Sequence, residues 1–252
     1  GHSDAINKYF SGMSDVRVIW GGDQTINNIR SARLPPRATE ITFADRISGL
    51  IINAETYLQI KDKPGIARSF YNDTYLSSQN ACSSPRLIYW YGEVAEILLA
   101  KNVFWMSVRA ELVEKNHLLE PITVIDKLMS SYRAAIELHG TILAESQDNF
   151  ITRVELDFMP DNLDSLKQGG GFFYELSSDN FAGLLKAMTA KFQTLSYIGF
   201  KGDYLKNKIV QAGVRGVDRI VECGDAMEFD PIWDGVDLIR QMSRIISVKS
   251  NV

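Results

Sequence analysis

The sequence predicts an α/β fold built in layers. Short runs of β-branched and aromatic residues recur along the chain, and segments with helical spacing of apolar residues lie between them. This alternation is typical of a sheet covered by helices. The composition agrees, because 252 residues that are 45% hydrophobic and 23% charged can bury a full core. The strand-like runs are VRVIW (16–20), EITFA (40–44), LIIN (50–53), RLIYWY (86–91), RVELDF (153–158), LSYIGF (195–200) and RIVEC (219–223).

Three helices are predicted from the spacing of their apolar residues, and a fourth is expected to open at Pro64. The residues expected to share the core-facing side are Val94, Ile97, Leu98, Trp105, Val108 and Leu112 in one helix, Ile125, Leu128, Met129, Tyr132, Ile136, Ile142 and Leu143 in the next, and Phe181, Leu184, Leu185 and Met188 in the third. The glycine run at 169–171 is followed by no Lys-Ser/Thr pair and opens no helix, so it is interpreted as a flexible connector.

Charge and cysteine content exclude several function classes. A net charge of -4 and a pI near 5.5 give no cationic surface for nucleic acid or anionic membranes. No apolar run is long enough to span a bilayer. The two cysteines form neither a disulfide framework nor a metal cluster, which favours a reducing cytoplasm. We therefore expect a cytoplasmic protein with no nucleic-acid partner, no membrane span and no metal site.

Cys82 lies between a predicted helix and the predicted strand that follows Pro85. A connecting loop on a rigid scaffold often displays reactive groups, and free backbone N–H groups in a tight turn can stabilise a thiolate or an oxyanion. A small buried hydrophobic residue at a loop corner is the alternative interpretation. The position of Cys82 in the sequence is compatible with both.

Five segments, in sequence order, resemble the LuxC-like acyl-CoA reductases, a branch of the aldehyde dehydrogenase superfamily. Together they extend over nearly the whole chain, and the segment around Cys82 resembles the family's nucleophile segment. The segments are VIWGGDQTINNI (18–29), QNACSSPRLIYW (79–90), KFQTLSYIGF (191–200), GVRGVDRIVECGDAMEFDPIWDG (213–235) and LIRQMSRII (238–246).

The resemblance implies a three-layer αβα catalytic domain with a mostly parallel sheet. It further implies reduction of a fatty acyl thioester, carried on CoA or on a protein, to the aldehyde with NADPH, through an acyl group on Cys82. The Asn80 side chain would assist the Cys82 N–H in binding the oxyanion. An acyl-transferring or synthetase subunit, a homo-oligomer and a link to luminescence are expected on the same basis. The residues expected to line the nicotinamide pocket are Trp20, Gly21, Gly22 and Asp23.

The sequence departs from the wider superfamily in two respects. Aldehyde-oxidising members carry a water-activating glutamate before the cysteine, whereas here Glu40 comes too early and Ala44 or Asp45 occupies the corresponding position. No G-x-G-x-x-G motif follows an early strand either. Residues 1–45 are therefore expected to be the last strand and helix of an upstream cofactor domain, and residues 46–252 the catalytic domain of a longer protein.

Two alternatives to a fatty acyl reductase remain open at this point. One is a CoA- or phosphate-acylating aldehyde dehydrogenase that takes a shorter substrate. The other is a non-catalytic assembly module that keeps the fold, in which Cys82 would have ordinary thiol reactivity.

Overall fold

The structure is a computed structural model that describes residues 3–144, 146–161, 163 and 168–250. Within these residues the chain forms two compact units. One takes in the chain up to Asp45 together with the segment from Phe229 onward, and the other is Arg46–Glu228. The predicted domain boundary also lies between 45 and 46, but the predicted second domain continued to 252. The division of function between the two domains stays a prediction.

The secondary-structure elements are numbered here in chain order. The helices are α1 (Asp4–Met13), α2 (Asp23–Arg30), α3 (Ala54–Gln59), α4 (Lys63–Asp73), α5 (Val94–Glu114), α6 (Pro121–Glu137), α7 (Ala182–Ala187), α8 (Gly202–Ala212) and α9 (Leu238–Gln241), with a 3₁₀ turn at Tyr75–Ser77. The strands are β1 (Val16–Trp20), β2 (Thr39–Phe43), β3 (Ile47–Asn53), β4 (Pro85–Tyr91), β5 (Thr141–Leu143), β6 (Thr152–Leu156), β7 (Phe172–Ser178), β8 (Phe192–Ile198), β9 (Arg219–Glu222), β10 (Ile232–Trp233) and β11 (Val236–Asp237).

The smaller unit contains two short strand pairs. Strands β1 and β2 are parallel, with Trp20 opposite Phe43, and β10 and β11 are antiparallel. Ile41, Phe43 and Trp233 form its small core. The unit has few buried apolar residues, so its stability depends strongly on these contacts.

The larger unit is organised around a seven-stranded sheet within the described residues. The strand order is β5-β6-β7-β4-β3-β8-β9, and every neighbouring pair is parallel except β5 and β6. The central strands β3 and β4 are buried almost throughout, as expected for a parallel sheet with both faces covered. The predicted mostly parallel α/β fold is confirmed.

Helices cover both faces of this sheet. Residues of α3, α4 and α5 pack with Leu50, Ile52 and Trp90 on one face. Residues of α6, α7 and α8 pack with Ile51 and Tyr89 on the other. Because side chains alternate along a strand, β3 and β4 contribute to both cores. The predicted three layers are therefore present.

The apolar stripe of α6 faces outward, which contradicts the predicted orientation of this helix. The five large apolar residues predicted for this stripe are between 49% and 80% exposed, and the buried positions are instead Lys127, Ser131 and Ala134. The Lys127 ammonium donates to the carbonyl oxygens of Asn149 and Phe150, which fixes the inward face. Burial lowers the pKa of Lys127 to about 8. The outward-facing residues are Ile125, Leu128, Met129, Tyr132 and Ile136.

Two other details of the helix predictions are wrong. Ile142 and Leu143 lie on β5, the edge strand of the sheet, and not on a helix, because α6 ends at Glu137. Val94 and Leu98 of α5 are exposed, whereas the other predicted core residues of that helix are buried.

The Glu175 carboxylate is the main polar group inside the core. Its side chain is fully buried on β7 and accepts hydrogen bonds from the indole N–H groups of Trp90 at 2.9 Å and Trp105 at 2.8 Å. Arg153 lies 3.4 Å and Lys101 3.8 Å from its other oxygen. A buried charge is tolerated only with such partners. Glu175 thus ties β7, β4, β6 and α5 together.

We expect Glu175→Leu to lower the free energy of unfolding by about 3–5 kcal/mol, because two indole donors and a buried cation pair lose their acceptor. Glu175→Gln should cost less, since an amide oxygen still accepts from both indoles. Glu155→Gln, at a half-exposed partner of Lys101, should change stability by about 1 kcal/mol or less. Urea unfolding followed by tryptophan fluorescence measures all three, and a Leu variant as stable as the wild type contradicts this role.

Candidate active site

Cys82 lies in a tight turn at the amino edge of the parallel sheet. The Ser84 N–H donates to the Ala81 carbonyl at 3.1 Å, and β4 begins at the next residue, Pro85. The thiol is unoxidised and its residue is partly exposed. A rigid strand therefore follows directly after a partly accessible thiol.

The Cys82 carbonyl is fixed by Ser48, at the start of the adjacent strand β3. The Ser48 hydroxyl donates to the Cys82 carbonyl oxygen at 2.7 Å and accepts from the Thr194 N–H of β8 at 3.1 Å. Ser48 is completely buried, so this link is shielded from water. Three neighbouring strands thereby set the orientation of the Cys82 peptide.

The Cys82 N–H, by contrast, has no acceptor within the described part of the chain. An unengaged backbone N–H beside a nucleophile is suited to bind an oxyanion. Asn80, the predicted second donor, is exposed two residues earlier, and its side-chain amide also has no partner among the described residues. The roles of both groups stay predictions.

Gln79 clamps the loop that carries Cys82, and the sequence analysis missed it. Its buried side-chain N–H₂ donates to the carbonyls of Pro85 at 2.9 Å and Phe172 at 3.0 Å. Its Oε1 accepts from the N–H groups of Gly171 and Phe172, both at 3.0 Å. Its backbone has φ 59°, an uncommon conformation for a residue with a side chain. Four hydrogen bonds hold this residue in place.

Arg86 completes the support of the loop from within β4. Its guanidinium donates to the Gln79 carbonyl at 2.6 Å and to the Ala81 carbonyl at 3.3 Å. The side chain is 7% exposed, so these are buried, charge-assisted bonds. The carbonyl oxygens of residues 79, 81 and 82 thus all accept hydrogen bonds from Ser48 or Arg86. The Cys82 N–H has no acceptor among the described residues.

The glycine run 169–171 packs on the same loop, which differs from the predicted flexible connector. The Gly170 N–H donates to the Ser78 carbonyl at 3.0 Å. A Cβ at Gly169 would lie 2.9 Å from that carbonyl oxygen, and one at Gly171 would lie 2.8 Å from the Tyr75 hydroxyl. Gly171 also has φ 84°. These glycines permit a close backbone approach that side chains would block.

Trp20, Gly21, Gly22 and Asp23 form the turn between β1 and α2. The Gly21 N–H donates to the Phe43 carbonyl at 3.1 Å, and Gly22 precedes the first turn of α2. A Cβ at Gly22 would have no heavy atom within 4 Å, and Trp20 is 56% exposed with its ring 4.7 Å from that of Phe43. An open glycine surface beside an indole fits a flat ring such as nicotinamide. The Asp23 carboxylate at the helix N-terminus disfavours a phosphate there.

Glu40 is engaged as a structural ion-pair partner. Its carboxylate pairs with the guanidinium groups of Arg17 and Arg30, the latter at 2.6 Å. Burial would raise its pKa, but hydrogen bonds and charges from Arg30 and Arg17 hold the pKa below its usual value. Glu40 is therefore not available as a water-activating base. Asp45 lies in the short link before β3.

Cys223 differs from Cys82 in its electrostatic environment. Burial, with added repulsion from Asp73 and Asp225, raises the pKa of the Cys223 thiol well above its usual value. A thiol in that state is a poor nucleophile at neutral pH. Cys223 is therefore not expected to accept an acyl group.

The described part of the chain carries no cluster of metal ligands and no membrane-spanning helix. No group of three or more His, Cys, Asp or Glu side chains there is placed to hold a metal ion. None of the described helices has both the length and the apolar character needed to cross a bilayer.

The fold is that of the aldehyde dehydrogenase superfamily. A Bradyrhizobium japonicum proline utilization A mutant superposes with TM-score 0.60 and 15% identity over 91% of this chain and 24% of that one. Aldehyde dehydrogenase C from Pseudomonas syringae, solved with NAD+ and octanal, gives TM-score 0.58 and 9% identity over 90% of this chain and 49% of that one. Lactaldehyde dehydrogenase from Escherichia coli gives TM-score 0.57 and 10% identity over 89% of this chain and 49% of that one. The chain thus spans about half or less of each.

Residues 1–101 match the model of the acyl-CoA reductase (LuxC) family. The matched segment contains Cys82, its turn and the Trp20–Asp23 segment. The resemblance stated from the sequence is confirmed there. No curated protein matches the chain.

We expect Gln79→Met to lower the free energy of unfolding by about 2–4 kcal/mol, because two buried carbonyls and two buried N–H groups lose their partner. Alkylation of Cys82 by iodoacetamide should also change in rate, since the turn loses its clamp. Gln147→Met, at an exposed glutamine, serves as the control. Urea titration and timed mass spectrometry measure these effects, and a Gln79→Met variant that matches this control contradicts the clamp.

Proposed function

We propose that this chain carries the acyl-accepting thiol of an NADPH-dependent fatty acyl thioester reductase. The observation that carries the proposal is the Cys82 turn, where the carbonyl accepts from the Ser48 hydroxyl and the N–H has no acceptor among the described residues. The match to the LuxC family over residues 1–101 supports the reaction class. The substrate would be a fatty acyl group carried on CoA or on a protein.

Acyl transfer would begin at the Cys82 sulfur. Its thiolate forms a bond to the thioester carbonyl carbon, and the carbonyl oxygen takes up negative charge that the Cys82 N–H stabilises. The Asn80 side-chain amide, two residues before Cys82, would donate a second hydrogen bond to this oxyanion. The carbon–sulfur bond to the donor then breaks, and CoA leaves as a thiolate that takes a proton from water.

The second half of the reaction converts the acyl-cysteine to aldehyde. A reduced nicotinamide, when bound, would supply the hydride that the acyl carbon accepts. The bond from that carbon to the Cys82 sulfur then breaks, which releases the aldehyde and regenerates the thiolate. The residues proposed to hold the nicotinamide are Trp20, Gly21, Gly22 and Asp23.

The balance between reduction and hydrolysis depends on whether a base can activate water. A positioned base typically accelerates such a step about 10²–10⁴-fold. Glu40 is held by two arginines, and the superfamily's glutamate position is occupied here by Ala44 or Asp45. An acyl-Cys82 without that base would persist until hydride arrives, which favours a reductase over an aldehyde oxidase.

Incubation with a long-chain acyl-CoA is expected to add one acyl group per chain, which neutral hydroxylamine removes. Cys82→Ser should lose the adduct, because the nucleophile is gone. Cys223→Ser should keep it, because that thiol is buried with a raised pKa. Intact mass spectrometry provides the readout, and an adduct that survives in Cys82→Ser would falsify the assignment.

The acyl-Cys82 adduct is expected to be long-lived in water after excess acyl-CoA is removed. Ala44→Glu or Asp45→Glu should shorten its lifetime by up to ~10²-fold, because the first adds a carboxylate at the superfamily's base position and the second extends the carboxylate already there. Loss of the acyl mass with time measures this. Deacylation within seconds in the wild type, slowed by Asp45→Ala, would place the protein with the aldehyde-oxidising enzymes instead.

A further inference from the structure

The loop 223–228, which follows β9, is bound to the end of α4 by a buried carboxylate. Asp73 is the last residue of α4 and is completely buried. Its Oδ2 accepts from the Gly224 N–H at 2.7 Å, and its Oδ1 accepts from the Ala226 N–H at 3.0 Å. Both carboxylate oxygens are therefore used to hold one loop.

Further contacts make this attachment close. A Cβ at Gly224 would lie 2.9 Å from the Ser69 hydroxyl and 3.4 Å from the Ser69 Cα, so the loop backbone lies directly on α4. The Arg219 guanidinium donates to the Ala226 carbonyl at 3.0 Å and to the Glu228 carbonyl at 2.8 Å. The loop is thus held on its N–H side by Asp73 and on its carbonyl side by Arg219.

The same loop reaches the turn that presents Cys82. The Ser83 hydroxyl donates to the Met227 sulfur at 3.5 Å, and Ser83 directly follows Cys82 in the chain. Ser83 is 3% exposed at this contact, whereas Met227 is 39% exposed. Met227 therefore offers accessible apolar surface beside the thiol turn, and a flexible thioether adapts well to an alkyl chain.

We propose that Asp73 is a positioning residue for acyl transfer, and that the loop it holds forms the apolar wall against which an acyl chain on Cys82 packs. The inference rests on the proposed function and names a determinant of its substrate class. Asp73 acts through the loop and does not touch the reacting atoms. Met227 is the residue of this loop that contacts the acyl chain.

The ionisation of Asp73 gives the attachment a pH dependence with a definite sign. Burial raises the pKa of Asp73 to about 7, although the N–H groups of Gly224 and Ala226 lower it. The negative charge of Asp225 raises the pKa of Asp73 further, and the positive charge of Arg219 lowers it. The Cys223 thiol faces the same carboxyl group. An opened loop hydrates Asp73 and restores its usual pKa of 3.8. Opening is therefore favoured progressively as pH rises from 3.8 towards 7, and the effect is constant above that.

The test compares three variants of the full chain by hydrogen exchange and acylation. In Asp73→Ala, exchange of the peptide 219–230 should speed up by about tenfold or more, because two loop donors lose their acceptor. Acylation by a long-chain acyl-CoA should slow by a similar factor, while alkylation of Cys82 by iodoacetamide changes little. Asp73→Asn keeps one acceptor oxygen, so loop exchange and the acylation rate should both return part of the way to their wild-type values. Because the amide does not ionise, loop exchange should lose its pH dependence. Glu228→Ala, which removes an exposed carboxylate at the end of the same loop, is the matched control.

Unchanged exchange in Asp73→Ala overturns the attachment, and faster exchange with unchanged acylation overturns the positioning role. If Asp73→Ala does not fold, Met227→Ala tests the wall alone. That variant should slow acylation by long-chain acyl-CoA more than by acetyl-CoA, and equal slowing overturns the wall. A wild-type chain that takes no acyl group refutes the proposed function and the wall together, whereas the exchange experiment judges the Asp73 attachment independently.

Discussion

The buried amide of Gln79 is the interaction on which the thiol site depends. One side chain joins the start of β4 to the start of β7 and to the glycine run before it. These four bonds offset the cost of the left-handed backbone at Gln79. These bonds fix the loop between α4 and β4, which includes the turn that contains Cys82.

The carbonyl groups of the Cys82 turn are hydrogen-bonded within the part of the protein that the structure describes, whereas the N–H group of Cys82 is not. Ser48 and Arg86 bind the carbonyls of residues 79, 81 and 82, so those acceptors point into the protein. The Cys82 N–H has no acceptor in the described chain, and its proposed role as an oxyanion donor rests on this. The site lies at the amino edge of the sheet, whereas ligands of open parallel sheets usually bind at the carboxyl edge. The difference arises because the thiol precedes its strand.

Segments far apart in the chain converge on this one loop. The glycines at 169–171 pack against Ser78 and Gln79, and the loop 223–228 reaches Ser83 after being fixed by Asp73. Parallel strands bring the glycine run before β7 to the same edge as the turn before β4. The loop 223–228 instead leaves the carboxyl end of β9 and lies against α4. Residues that look like ordinary turns in the sequence therefore act together in space.

The sequence by itself determined the α/β class, most strands and the location of Cys82 in a connection, because alternation of apolar runs and turn residues is a local property. Only the tertiary structure decided the orientation of α6, where Lys127 faces inward and binds carbonyls that a periodicity argument does not include. It also decided the roles of Gln79, Glu175 and Asp73. Their partners lie up to about 150 residues away, so no local pattern marks a polar residue that becomes buried with its hydrogen bonds satisfied.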